Sequence, residues 1–214
     1  MGEEKRRAPR RRFCERNRDM KLILASQSPR RREILENLGL CFEVITSDAD
    51  ESSDLTDPRA LVELLSRRKG QAVEALLRAE GRDLSDTVII SSDTVVSVDG
   101  EILGKPRDRE DAIRMLRLLS GREHEVISGV CLITPKGIES AHEVTLVEFE
   151  SLDDATVEGY VDRAEPYDKA GAYAIQGLAS AYIKGIRGDY FNVVGLPVHH
   201  LCTLYRKIFK ENFL

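Results

Sequence analysis

Apolar positions along this chain switch between the short runs of buried strands and the three- and four-residue spacing of amphipathic helices. Leu22, Ile23, Leu24 and Ala25 form a run that reads as a strand. Ser28 and Pro29 then open a helix, since serine is a favoured N-cap and proline fits the first helical position. Residues 41–46 read as a second strand, followed by an acidic, serine-rich loop at 47–54. Asp57-Pro58 begins a long helix reaching Glu80, with its apolar face on Leu61, Leu64, Leu65, Val73, Leu76 and Leu77. Residues 87–91 have the β-branched character of a strand buried on both faces, and a further strand is predicted at 95–98. Asp99-Gly100 makes a hairpin turn that returns through residues 102–106. The rest predicts a helix at 108–119, paired strands at 125–134 and 143–150, and a helix at 153–163. Short strands at 172–175 and 181–184 and a last helix from Leu196-Pro197 to Phe209 complete the pattern. Strands alternating with helices, some strands adjacent, predict an α/β protein with a mixed sheet.

Composition and charge narrow this picture. The 214 residues are 42% hydrophobic and 32% charged, without tryptophan. No apolar run approaches the roughly 18–20 residues of a membrane-spanning helix, and residues 1–20 lack the apolar stretch of a secretory signal. Four scattered cysteines without a CxxC spacing fit a reducing, cytoplasmic setting. Residues 1–19 carry a charge of +4 against −5 overall, which leaves −9 on residues 20–214. So acidic a body is a poor generic nucleic-acid binder, and neither a nucleic-acid nor a membrane partner is expected. Residues 1–19 are expected to be a disordered basic extension, an arm for an acidic partner or a stretch ahead of a start at Met20. The expected single domain is 20–214.

Three arginines, Arg30 to Arg32, crowd the first turn of the first helix, where the helix dipole favours acidic residues. An anion would neutralise them, and a strand, a tight turn and a helix N-terminus together form a common phosphate cradle. Ligands of α/β proteins sit beyond the carboxyl ends of strands. Besides this turn, the loop carrying Asp50 and Glu51 and the residue Asp93 fall at such ends. Asp93 suits a metal ligand or general base, and Asp50 and Glu51 further oxygen ligands for Mg²⁺. Lys105, fixed between Gly104 and Pro106, and Lys69, on the long helix, are candidate anion contacts. Each also fits a structural role when taken alone: solvated arginines, an acidic loop in water, a capping aspartate, ordinary surface lysines. His199 and His200 read as structural. The chain has no GxxxxGK[ST], GxGxxG, GxSxG or HExxH motif.

Six stretches, LILASQSPRRREIL, SSDTVV, GEILGKP, LSGREHEV, EPYDKAGAYAIQG and GDYFNVVGLP, stand in the order found in Maf-like nucleotide pyrophosphatases. The chain resembles that family from about Leu22 to Tyr205. The resemblance implies metal-dependent hydrolysis of a nucleoside triphosphate to monophosphate and pyrophosphate. It implies an elongated α/β fold, with a long mixed sheet, flanking helices and two lobes around a cleft, like that of inosine triphosphate pyrophosphatases. It also implies a homodimer. Position by position, it puts Ser26, Arg30 and Arg31 at the phosphate end of the cleft and Lys69 and Lys105 on phosphates. Glu51 and Asp93 are associated with Mg²⁺ or Mn²⁺, Asp93 activating water, and Gln176 reaches toward the base. Arg30, Thr94 and Gln176 match the branch acting on dTTP and UTP, with modified pyrimidine triphosphates as further candidates. A 7-methyl-GTP or broad-specificity pyrophosphatase, or a nucleotide-binding regulator of cell division, are the alternatives. Ser91-Ser92 stands where the family usually has Gly-Ala, Ala174 where glycine is common, and Gly70 where alanine is usual.

Overall fold

A computed structural model describes residues 20–214. The basic arm, residues 1–19, lies outside the described residues. Seven strands form one mixed sheet: β1 (Lys21–Leu24), β2 (Phe42–Val44), β3 (Thr87–Val98), β4 (Glu101–Leu103), β5 (Glu123–Thr134), β6 (Gly137–Phe149) and β7 (Ile183–Arg187). Their order is β2-β1-β3-β5-β6-β7, with β4 paired to β3. β1 runs parallel to β2 and β3, and the other pairings are antiparallel. The helices are α1 (Pro29–Asn37), α2 (Pro58–Ala79), α3 (Arg109–Leu119), α4 (Asp154–Ala164), α5 (Tyr190–Val194) and α6 (Val198–Phe209). The expected starts hold: Ser28 caps α1 ahead of Pro29, and Asp57 caps α2 ahead of Pro58. Among the described residues, no helix is long and apolar enough to cross a membrane.

Three segments differ from the pattern reading, the first being β6, which begins at Gly137 and not at 143. The strands expected at 87–91 and 95–98 are one strand, β3, in which Asp93 is central and not terminal. Its polar middle stays in the ladder because the buried hydroxyls find carbonyl partners. Ser91 Oγ donates to the Ser66 carbonyl at 2.7 Å and Ser92 Oγ to the Gly195 carbonyl at 2.9 Å. The short strands expected at 172–175 and 181–184 are absent as drawn. Residues 170–172 and 178–181 form single 3₁₀ turns, and Ala172 takes a left-handed φ of +60° that a strand does not accommodate. The strand begins later, as β7, and α5 follows it on an Asp189 cap.

Two features of the sheet create the cleft. β1 pairs with residues 87–90 of β3 and β4 with residues 96–98, so residues 91–95 have no strand beside them on that edge. On one face of β3, Val88 and Ile90 join an apolar cluster with β1, α1 and α6, while Val96 joins a second cluster with α3 and α4. Ser92 and Thr94 separate the two. The expected lobes are these clusters, with a polar seam between them.

On the opposite face, α2 crosses close over β5. A Cβ on Gly129 would stand 2.3 Å from the Val62 carbonyl oxygen, so this position tolerates no side chain unless α2 lifts. Gly129 is the register partner of Asp93. Gly129→Ala is expected to destabilise the fold by about 1–3 kcal/mol, the usual cost of overpacking. Urea denaturation measures it, and an unchanged midpoint would remove this close approach as a constraint.

Candidate functional site

The sheet gap opens into a cavity of about 840 Å³ between the two clusters. Every residue that the resemblance assigned to the site lines it, but Asp50 does not: its carboxylate turns back to accept from Ser52 N–H and Oγ. Ser26, Arg30 and Arg31 come from the β1–α1 turn, Glu51 from the acidic loop, and Lys69 from α2. Asp93 and Thr94 come from the open stretch of β3, Lys105 from the turn after β4, and Gln176 from the segment between the 3₁₀ turns. Cβ vectors on a helix tilt toward its N-terminus, so Lys69 reaches back over the sheet toward Asp93. Its Nζ lies 2.5 Å from Asp93 Oδ1 and 3.1 Å from Glu51 Oε1. Two carboxylates, one buried and one exposed, thus converge on one cation.

That donor set fits a divalent ion. Hard oxygen ligands suit Mg²⁺ or Mn²⁺, which typically binds through one or two carboxylates plus substrate phosphates. Among the described residues, no three His, Cys, Asp or Glu side chains gather in a metal cage. Glu51 and Asp93 would therefore share the ion with phosphate and water.

Arg31 is held on three sides. Its Nε donates to the Gly195 carbonyl at 2.7 Å, Nη1 to Ser26 Oγ at 3.1 Å and Nη2 to Thr94 Oγ1 at 2.9 Å. Burial lowers its pKa from the usual arginine value, with the Asp93 carboxylate acting in the opposite direction. Thr94 is oriented in turn. Ser128 Oγ gives its proton to the Asn192 carbonyl, so the 2.8 Å contact between Thr94 and Ser128 has Thr94 as donor. Arg30 is less enclosed and points its Nη1 at Asp168 Oδ2, 3.3 Å away. Asp168 also pairs with Lys169, and both residues line the cavity. Sequence reasoning gave neither a role, although both lie in the EPYDKAG stretch. Behind the wall, Tyr173 OH meets His124 Nε2 at 2.7 Å in a T-shaped cluster with Phe149. Burial lowers the His124 pKa to about 4. The expected structural role of the C-terminal histidines holds for His200, which ties α6 to Glu143 of β6.

Two of the departures from the family pattern are one packing change. A Cβ on Gly70 would stand 2.7 Å from Ser91 Oγ and 2.9 Å from Ile133 Cδ1. The serine hydroxyl on β3 fills the space that an alanine methyl on α2 would take.

Cations of phosphate-binding type, two convergent carboxylates and a break in a mixed sheet define an α/β protein built around a polyanion cleft. The chain belongs to the Maf-like proteins, whose family model matches residues 21–208. It is 49% identical over 179 residues to a dTTP/UTP pyrophosphatase of Symbiobacterium thermophilum, covering 83% of this chain and 89% of that one. It is 48% identical over 191 residues to the dTTP/UTP pyrophosphatase of Carboxydothermus hydrogenoformans, covering 88% and 97%. A third protein of that name, from Pelotomaculum thermopropionicum, is 46% identical over 190 residues, covering 87% and 95%. The solved structure of the Staphylococcus aureus Ham1 protein is similar over 60% of this chain and 71% of that one, with a TM-score of 0.42 and 15% identity.

Two outcomes follow for stability. Gly70→Ala gains up to about 1 kcal/mol of helix propensity but overpacks against β3 by about 1–3 kcal/mol, so a net loss is expected. Ser91→Gly in the same chain restores most of it, and a double-mutant cycle in urea reads the coupling. His124 is neutral in the fold and titrates near its ordinary 6.5 when unfolded, so its contribution is complete above that pH and is lost as pH falls toward 4. Between pH 7 and 5 that loss is about 2 kcal/mol. His124→Gln should flatten the slope in denaturation series at the two pH values, and a slope equal to wild type would exclude His124 as its source.

Proposed function

We propose that this chain is a nucleoside triphosphate pyrophosphatase that hydrolyses dTTP and UTP to monophosphate and pyrophosphate with Mg²⁺ or Mn²⁺, working as a cytoplasmic homodimer. Modified pyrimidine triphosphates are substrates of the same reading. The observation that carries it is the meeting of Arg30, Arg31, Lys69 and Lys105 with Glu51 and Asp93 in one cavity. The relatives named dTTP/UTP pyrophosphatase give the substrate class.

Hydrolysis of a phosphoanhydride needs positioning and charge neutralisation more than covalent chemistry. Arg30, Lys69 and Lys105 hold the phosphates and stabilise negative charge as it moves onto the leaving pyrophosphate. Arg31 keeps Ser26, Thr94 and Gly195 in place around them. When bound, the divalent ion neutralises phosphate charge and polarises the attacking water. Asp93 acts as general base. Its Oδ1 is taken by Lys69, and Oδ2 accepts the water proton as the water oxygen bonds to phosphorus and the α–β bridging oxygen leaves with its electron pair. Gln176 can both donate to and accept from the edge of a pyrimidine ring, and with Arg30 and Thr94 it sets the base preference.

A nucleotide panel with pyrophosphate as readout tests this. dTTP and UTP should be cleaved fastest, far ahead of 7-methyl-GTP, and the reverse order would overturn the substrate reading. Asp93→Asn should lower turnover by roughly 10²–10⁴-fold, the usual worth of a general base. Undiminished hydrolysis by that variant would overturn Asp93 as the general base and leave the pyrophosphatase reading standing.

A further inference from the structure

Asp168 is a carboxylate in the wall of a cavity read here as built for a polyanion, and nothing in the proposed chemistry calls for it there. Its surroundings give it a task. Arg30 approaches from the first turn of α1, in the lobe of β1 and α6, and Lys169 from the lobe of α3 and α4. Both line the cavity, and Asp168 lies between them: Oδ2 accepts from Arg30 Nη1 at 3.3 Å and Oδ1 pairs with Lys169 Nζ. The Asp168 side chain is 56% exposed and the Arg30 side chain 25%, and pairs this open to water contribute little to stability. The backbone around it is fixed. Tyr167 N–H donates to the Glu165 carbonyl, Lys169 N–H to the Pro166 carbonyl, and Gly171 N–H to the Gly104 carbonyl beside Lys105.

We propose that Asp168 is a positioning residue that holds Arg30 and Lys169 together at the cleft wall, making Lys169 a further phosphate-contacting cation. The inference rests on the pyrophosphatase reading and extends it. Two unbridged cations on facing walls repel each other and drift into solvent. A shared carboxylate keeps both on the cavity side, each with donors left for a phosphate oxygen, since a guanidinium carries five and an ammonium three. Asp168 stays ionised in this place. Burial alone would raise its pKa, but Lys169 and Arg30 outweigh that and hold it below the usual value. The opposite role, a latch competing with substrate for the two cations, predicts the opposite sign for affinity.

The test uses the full chain with Asp168→Ala and Asp168→Glu, dTTP kinetics with Mg²⁺, calorimetric binding of a non-hydrolysable α,β-imido dTTP, and thermal unfolding. Asp168→Ala should raise KM and the analogue Kd roughly tenfold, the worth of one charge-assisted contact. Its kcat should change much less and its unfolding midpoint stay at the wild-type value, and Asp168→Glu should recover most of the affinity. An unchanged or lowered KM in Asp168→Ala overturns the proposal, as does a fall in kcat alone. A wild-type chain that neither cleaves dTTP nor binds the analogue overturns the pyrophosphatase reading together with this one. Wild-type turnover with an unaffected Asp168→Ala overturns only this one.

Discussion

Helix α2 lies so close to β5 that the Val62 carbonyl stands where a side chain at position 129 would begin, and that approach sets the height of Lys69 above Asp93. Lys69 is two helical turns beyond Val62, about 10 Å along the axis. The same face carries a second adjustment, Gly70 over Ser91, where helix and strand divide one volume between them. Backbone spacing thus sets where the Lys69 ammonium stands relative to Asp93 and Glu51.

The opposite face of β3 solves a different problem. Ser92 and Thr94 interrupt an otherwise apolar strand face, and an unpaired buried hydroxyl there would cost about 1–3 kcal/mol. Each is tied to the far end of the chain, Ser92 directly and Thr94 through Ser128. Ser92 reaches the Gly195 carbonyl, and Thr94 is bonded to Ser128, itself fixed by Asn192. Arg31 closes the seam by donating to Gly195, Ser26 and Thr94 together. Much of its bonding capacity is spent within the protein, so Arg31 acts chiefly as a frame and Arg30 is the more available cation.

The parts of this arrangement legible in sequence are those with local causes. The α1 start was readable because Ser28, Pro29 and the reversed charge of Arg30 to Arg32 all lie within one turn. Asp93 was readable as chemistry, yet its setting was misread. It lies at a gap in the sheet, and that gap exists because β1 stops pairing at Ile90 and β4 resumes at Val96, which depends on strands distant in sequence. The 170–183 stretch was misassigned because a left-handed alanine at 172 has no local signature. Asp168 and Lys169 were visible inside a recognised block. Their use was hidden because the partner of Asp168, Arg30, lies 138 residues away.

Those distant pairings give the cleft its charge balance. Arg30, Arg31, Lys69, Lys105 and Lys169 face Asp48, Glu51, Asp93 and Asp168 across the same cavity walls. A bare group of five cations would repel itself and, by like-charge coupling, favour opening of the very walls that carry it. With Lys69 bridged by two carboxylates and Arg30 and Lys169 sharing a third, the side chains of the cleft nearly balance in charge. Taking up a polyanion there is an exchange of partners and not the filling of a charged void. Its free energy is then a difference between phosphate and carboxylate contacts, so specificity falls to groups that have no carboxylate to release. Thr94 is such a group, its hydroxyl proton already committed to Ser128, and so is Gln176 on the exposed rim. In the function proposed above, that division leaves discrimination between bases to neutral groups.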